Sequence, residues 1–146
     1  MDAFQNSLQH LLAELERIDL LIAAQVARAR QLYTNDEQFR GLYISEEEVN
    51  AMLKQGEEFT LLDVREPWEL EKARIEGSKN IPMGDIPTRA HQELDPGEHI
   101  VVICHHGVRS LSVTNWLRQQ GFDKAQSIRG GIDGWARTVD PKVPLY

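Results

Sequence analysis

A single cysteine stands where a reactive sulfur would be useful. In His99-Ile-Val-Val-Ile-Cys104-His-His-Gly-Val-Arg109-Ser110-Leu111, an apolar run ends at Cys104 and an amphipathic segment begins about five residues later. The run reads as a buried central strand and the segment as a helix. Cys104 then lies at the carboxyl end of the strand, where open α/β sheets bind ligands. A tight loop into a helix N-terminus offers free N–H groups and the positive end of the helix dipole, and both favour an anion. Gly107 lets the loop curl, so that successive N–H groups, those of Gly107 and Val108 among them, gather around the sulfur as a nest. The thiolate is the nucleophilic form of cysteine. Arg109 is placed to fold over the loop and meet an oxyanion, and His105 and His106 add donors or partial positive charge near neutral pH. A buried structural cysteine is the competing reading; the glycine, the arginine and the helix start weigh against it together. Either histidine alone reads equally well as a surface loop residue. A histidine base is usually supplied from elsewhere in a chain, so the two do not make a triad.

The elements that must position this loop alternate from Leu42 onward. Leu42-Tyr43-Ile44 is a short strand candidate, and Ser45 with Glu48 forms a capping box opening a helix through about Gln55, stopped by Gly56. Glu46-Glu47-Glu48 reads as a favourable acidic first turn. Phe59 to Val64 is a buried strand that runs into the charged turn Asp63-Val64-Arg65-Glu66-Pro67, followed by a short helix from Trp68 to Lys72. Asp63 pairs with Arg65 or caps the turn, and both are candidates to support the loop. Asn80-Ile81-Pro82 is at most a short strand, Ile86 to Glu93 a helix, and Asp95-Pro96-Gly97 a turn. His99 to Ile103 is the strongest strand, Ser110 to Gln120 an amphipathic helix ended by Gly121, Ala125 to Ile128 a last strand and Ile132 to Thr138 a last helix. Trp116 and Trp135 read as core aromatics. This alternation is that of a layered α/β domain with a mostly parallel sheet.

Residues 1 to about 33 have another pattern. They contain no Gly or Pro, and Leu8, Leu11, Leu15, Ile18, Ile22, Ala29 and Leu32 recur in steps of three and four, with Gln25 as the polar exception. Leu12, Leu21 and Val26 widen the stripe. A helix with such a stripe must pack on something; the heptad-like spacing favours pairing with a second copy as a homodimer over docking on its own domain. The expected division is a helical extension over residues 1–40 and an α/β domain over residues 41–146.

The chain of 146 residues suits one core of ordinary composition, with a net charge of -7 and a pI of about 5.2. That acidity argues against nucleic acid or an anionic membrane as a partner. One cysteine excludes an internal disulfide and a multi-cysteine metal site, and fits a reducing compartment. With no basic start ahead of an apolar run, and no apolar stretch longer than Leu20–Ala24, the expected location is the cytoplasm.

Four segments in order and spacing carry a resemblance. Cys104-His-His-Gly-Val-Arg109-Ser resembles the active-site loop of rhodanese-family sulfurtransferases, in which a cysteine opens a six-residue loop closed by arginine. Leu-Leu-Asp63-Val-Arg65-Glu66-Pro-Trp-Glu69, Ile75-Glu-Gly77-Ser-Lys-Asn80-Ile-Pro82 and Gly130-Gly131-Ile-Asp133-Gly134-Trp135 resemble the family's other signatures, and together they span roughly residues 42 to 146. Two positions depart: Ala73-Arg74 stands where the family usually has Gly-His, and His105 where many members have arginine. The second exchanges a fixed positive charge for a titratable one. The resemblance implies an open, mostly parallel sheet of about five strands flanked by helices. It also implies sulfur transfer from a donor such as thiosulfate to cyanide or a thiol through a Cys104 persulfide, with no metal or organic cofactor. A non-catalytic, regulatory binding module is the alternative, although such relatives usually lack the loop cysteine. A cysteine phosphatase or arsenate reductase is disfavoured, because those loops place five residues between Cys and Arg and this one places four, His105 to Val108.

Overall fold

The computed structural model describes residues 3, 5–7, 9–10 and 41–146. The chain divides into two compact units, Met1–Arg40 and Gly41–Tyr146. Residues 3, 5–7 and 9–10 are helical; the remainder of the expected long helix, and the homodimer reading built on it, lie outside the described residues. Among the described residues no helix is long and apolar enough to cross a membrane.

The second unit runs β1 (Tyr43–Ile44), α1 (Glu46–Lys54), β2 (Thr60–Asp63), α2 (Pro67–Lys72), β3 (Lys79–Asn80), a 3-10 turn (Met83–Asp85), α3 (Ile86–Glu93), β4 (Ile100–Ile103), α4 (Val108–Gln119), β5 (Ala125–Ile128) and α5 (Gly131–Thr138). The strands form one five-stranded sheet in the order β1-β5-β4-β2-β3, and every pair is parallel. Parallel neighbours require crossovers, and the helices between strands supply them. β4 lies at the centre, paired with β2 from Thr60↔Ile100 to Asp63↔Ile103 and with β5 from Ile100↔Ala125 to Val102↔Ser127.

Strand periodicity assigns each side chain to a face. Ile100 and Val102 of β4 join Leu62, Ile86, Ala90, Val113, Leu117 and Phe122 in one core. Val101 and Ile103 join Leu61, Val49, Ile128, Ile132 and Trp135 in the other. All four β4 side chains are at most 1% exposed, each contributing roughly 1.5–3 kcal/mol of burial. This doubly covered strand is a rigid base for the loop that opens at Cys104, and Cys104 itself belongs to the first core. Trp135 is buried and Trp116 packs against the first core, as expected of core aromatics.

Beyond one-residue shifts at the ends of other elements, the sequence reading differs in three places. β3 is Lys79–Asn80, one residue earlier than expected, because Pro82 has no N–H to continue a ladder. The 3-10 turn before α3 is an addition, since its three residues are too few to carry a periodic signal. α4 begins at Val108, two residues before Ser110; Val108 is 71% exposed, so the apolar pattern gives no sign that the helix has begun.

Candidate active site

The loop that leaves β4 is shaped by backbone on both sides. Gly107, at φ 105, caps α4, and its N–H donates to Cys104 Sγ at 3.1 Å. A Cβ at Gly107 would strike the Arg129 carbonyl. The Cys104 thiol donates to Ser110 Oγ at 3.4 Å, and that hydroxyl pairs with Ser127 Oγ at 2.8 Å. From the other side, the first N–H groups of α5 take the loop carbonyls: Ile132 N–H donates to Cys104 O at 2.8 Å and Asp133 N–H to His105 O at 3.1 Å. In a trans peptide the C=O and the following N–H point in opposite directions. Fixing these carbonyls on α5 therefore turns the next N–H groups of the loop away from α5.

That close approach explains the glycines of the last signature. Gly131 sits at φ 64, and a Cβ there would lie 2.6 Å from Cys104 O and nearer still to His105 O. Gly130 and Gly134 leave room for Glu46, whose buried carboxylate accepts the Gly130 N–H; a Cβ at Gly134 would lie 2.6 Å from Glu46 Oε1. Glu46 is thus a buried buttress of the α5 N-terminus, a role beyond the acidic first turn expected of it, while Ser45 Oγ accepts the Glu48 N–H at 3.1 Å.

Arg109 folds back over the loop, and an acidic partner meets it. Its Nη1 and Nη2 donate to Glu69 Oε2 and Oε1 at 2.8 and 2.9 Å. Glu69 is 4% exposed and also accepts the Glu66 N–H at 2.9 Å and the Tyr146 hydroxyl at 2.9 Å. The Arg109 guanidinium first, then these two donors, outweigh burial and hold the Glu69 carboxyl down at about 2; Glu69 in turn raises Arg109. The Tyr146 hydroxyl accepts from Arg65 Nη1 at 2.8 Å. Arg65 is fully buried and grips Asp63 through Nε at 3.0 Å and Nη2 at 2.7 Å, with Nη2 also on Ala73 O at 2.8 Å. Burial would lower the Arg65 pKa, but the bonds to Asp63 and Tyr146 raise it above the ordinary value. A continuous chain, Asp63–Arg65–Tyr146–Glu69–Arg109, therefore links the end of β2 to the loop.

The histidines form a wall beside it. The His105 ring stacks on Tyr146 at 4.0 Å and 2° and packs against His106 at 3.9 Å. Burial, and then the neighbouring His106, lower the His105 pKa below its ordinary value, and its Nε2 is buried with no hydrogen-bond partner among the described residues. His106 is exposed, with Nδ1 4.0 Å from Asp133 Oδ2. His105, His106 and Asp133 each bring one potential metal-ligand atom within 4.8 Å of the others, but Asp133 is already engaged by Arg137 at 2.9 Å.

The structure thus brings together Cys104, His105, His106, Gly107 and Arg109, and leaves the Val108 side chain in solvent. Among the described residues Asp63 and Arg65 form no hydrogen bond to the sulfur or to Arg109; Arg65 reaches Arg109 through Glu69, directly at the Glu69 carbonyl (3.3 Å) and by way of Tyr146. Sequence reasoning gives Glu69 and Tyr146 no part. Glu69 carries a signal, closing its signature segment three residues after Glu66. Tyr146, which no motif or periodicity marks, carries none.

Comparison with known proteins agrees with this geometry. Residues 45–138 match the family model of the rhodanese-like domain. The putative sulfurtransferase YtwF of Bacillus subtilis is 36% identical over 99 residues, covering 68% of this chain and 94% of that protein. The crystal structure of a rhodanese-related protein from Thermoplasma volcanium superposes with a TM-score of 0.62 at 33% identity, covering 71% of this chain and 98% of that one. Other relatives are far longer: the chain spans 31% of the Rhodanese-like/PpiC domain-containing protein 12 of Arabidopsis thaliana, 41% identical over 93 residues.

Proposed function

The chain belongs to the rhodanese-like domain family, and we propose that it moves sulfane sulfur from a donor such as thiosulfate to a thiol or cyanide through a persulfide on Cys104. The Cys104 thiolate attacks the outer sulfur of thiosulfate. The donor S–S bond breaks, sulfite leaves with the electron pair, and Cys104 keeps the transferred sulfur as an anionic persulfide. A second nucleophile then takes that sulfur and Cys104 departs as thiolate, a ping-pong cycle with no metal or organic cofactor in either step. The observation that carries this reading is the Gly107 N–H aimed at Sγ from the end of a rigid central strand; loop donors of this kind stabilise a persulfide anion as an oxyanion hole does its oxygen. The catalytic unit is residues 41–146, with residues 1–40 as a helical extension, and a lone thiol suits the cytoplasm.

Intact mass spectrometry tests the proposal. Treatment with a large excess of thiosulfate or with polysulfide should add one sulfur atom, and cyanide should remove it as thiocyanate. Cys104→Ser should abolish both. Sulfur transfer that survives in this variant refutes the assignment.

A further inference from the structure

We infer that Glu69 is a specificity-determining residue that turns the site away from dianionic donors such as thiosulfate and toward hydropersulfides of uncharged thiols. The inference rests on the sulfur-transfer reading above and ranks thiosulfate below hydropersulfides among its donors. Arg109 is the only permanent cation in the loop from Cys104 to Arg109, and its guanidinium is held by both oxygens of a buried carboxylate. Of the loop histidines, His105 is stacked on the Tyr146 ring, where burial disfavours its charged form, and His106 faces Asp133. The other cations of this network are paired too, Arg65 with Asp63 and Arg137 with Asp133. A thiosulfate dianion approaching a thiolate here meets no uncompensated positive charge from these groups, and it must compete with Glu69 for Arg109. The Tyr146 hydroxyl fixes Glu69 in that competition by donating to the same oxygen that Arg109 Nη2 uses.

The residues that flank this cluster in the chain add exposed apolar surface, which suits an uncharged carrier. Three of the most exposed large apolar side chains among the described residues are Val108 at 71%, Trp68 at 57% and Leu145 at 53%. Each is the sequence neighbour of one member of the Arg109–Glu69–Tyr146 cluster. A hydropersulfide R–S–S–H brings at most one negative charge. The Cys104 thiolate attacks its terminal sulfur, the donor S–S bond breaks, and R–S⁻ leaves with the electron pair. Cys104 keeps the sulfur and its proton as Cys–S–S–H.

The test compares two donors on the full chain, with sulfur loading of Cys104 read by intact mass: thiosulfate, and the hydropersulfide of N-acetylcysteamine. The parent should load from the hydropersulfide with a kcat/KM roughly a hundredfold above that for thiosulfate, the scale of two charge-assisted contacts forgone. Glu69→Gln frees Arg109, and should lower the thiosulfate KM about tenfold with less change in kcat. Glu69→Asp keeps the charge and should leave thiosulfate a poor donor. Equal use of the two donors by the parent overturns the inference, and this measurement stands even if Glu69→Gln does not fold. A folded Glu69→Gln protein with the parental donor ratio overturns it as well. Failure of both donors to load Cys104 in the parent is a separate result, and removes the sulfur-transfer reading itself.

Discussion

Replacing Gly131 by alanine tests whether the α5 N-terminus shapes the sulfur loop. Gly131 holds φ 64, and the left-handed conformation costs an L-residue roughly 1–2 kcal/mol. The new Cβ also meets backbone atoms that cannot rotate aside, Cys104 O at 2.6 Å and the His105 carbonyl closer still. Relieving such overpacking costs about 1–3 kcal/mol, for a total of about 2–5 kcal/mol. That is a large part of the ~5–15 kcal/mol by which domains are usually stable. Relief requires the loop to move off α5, which breaks the Ile132 and Asp133 N–H bonds and displaces the Gly107 N–H from Sγ. Two glycines separate the contributions. Gly121 has φ 96 and nothing within 4 Å of its added Cβ, so Gly121→Ala should cost only the backbone strain, about 1–2 kcal/mol. Gly84 has neither positive φ nor a neighbour within 4 Å, so Gly84→Ala should be nearly neutral. Urea unfolding ranks the three variants, and sulfur loading of Cys104 reports the loop. A Gly131→Ala protein as stable as Gly84→Ala, with loading intact, refutes the reasoning.

Other consequences can be measured on the same protein. Asp63→Ala strands the Arg65 charge in a fully buried site and should destabilise the domain by about 3–5 kcal/mol; a loss below about 1 kcal/mol in urea unfolding would show that the pair does not anchor the network. The Glu69 carboxyl is held at about 2 against an ordinary 4.5, so its contribution is fully present above pH 4.5. It is lost as pH falls from there toward 2, because the unfolded state binds the proton first. The contribution is on the order of 3 kcal/mol, and Glu69→Gln should flatten the acid limb of the stability profile; an unchanged limb contradicts this. The apolar stripe of residues 8–32 should pair two chains, giving a light-scattering mass near twice the 16.7 kDa of one chain. Deletion of residues 1–36 should leave an active monomer, and a full-length protein that scatters as one chain rules out the pairing.

Much of the fold is legible in the sequence because its signals are local. The unbroken apolar run at β4 requires burial on both faces, and the alternation of strand-like and helix-like segments requires a parallel sheet with crossovers. The order Cys104, Gly107, Arg109 marks a strand-to-helix loop with a sulfur at its start, since a tight loop, a positive φ and a nearby helix start all leave their residues within a few positions of one another. Contacts between distant residues leave no such pattern. Arg109 and Glu69 are 40 positions apart, Arg65 and Tyr146 81, and Glu46 and Gly130 84. An arginine after a cysteine reads as a cation for a substrate until the fold lays a buried carboxylate against it. Likewise Glu46 reads as a solvated first-turn acid until α5 comes to rest on it. The parallel order β1-β5-β4-β2-β3 decides which loops meet at the carboxyl edge of the sheet. Side-chain charge and helix dipole are properties of the residues; whether a charge remains free to act is a property of what the chain packs against it.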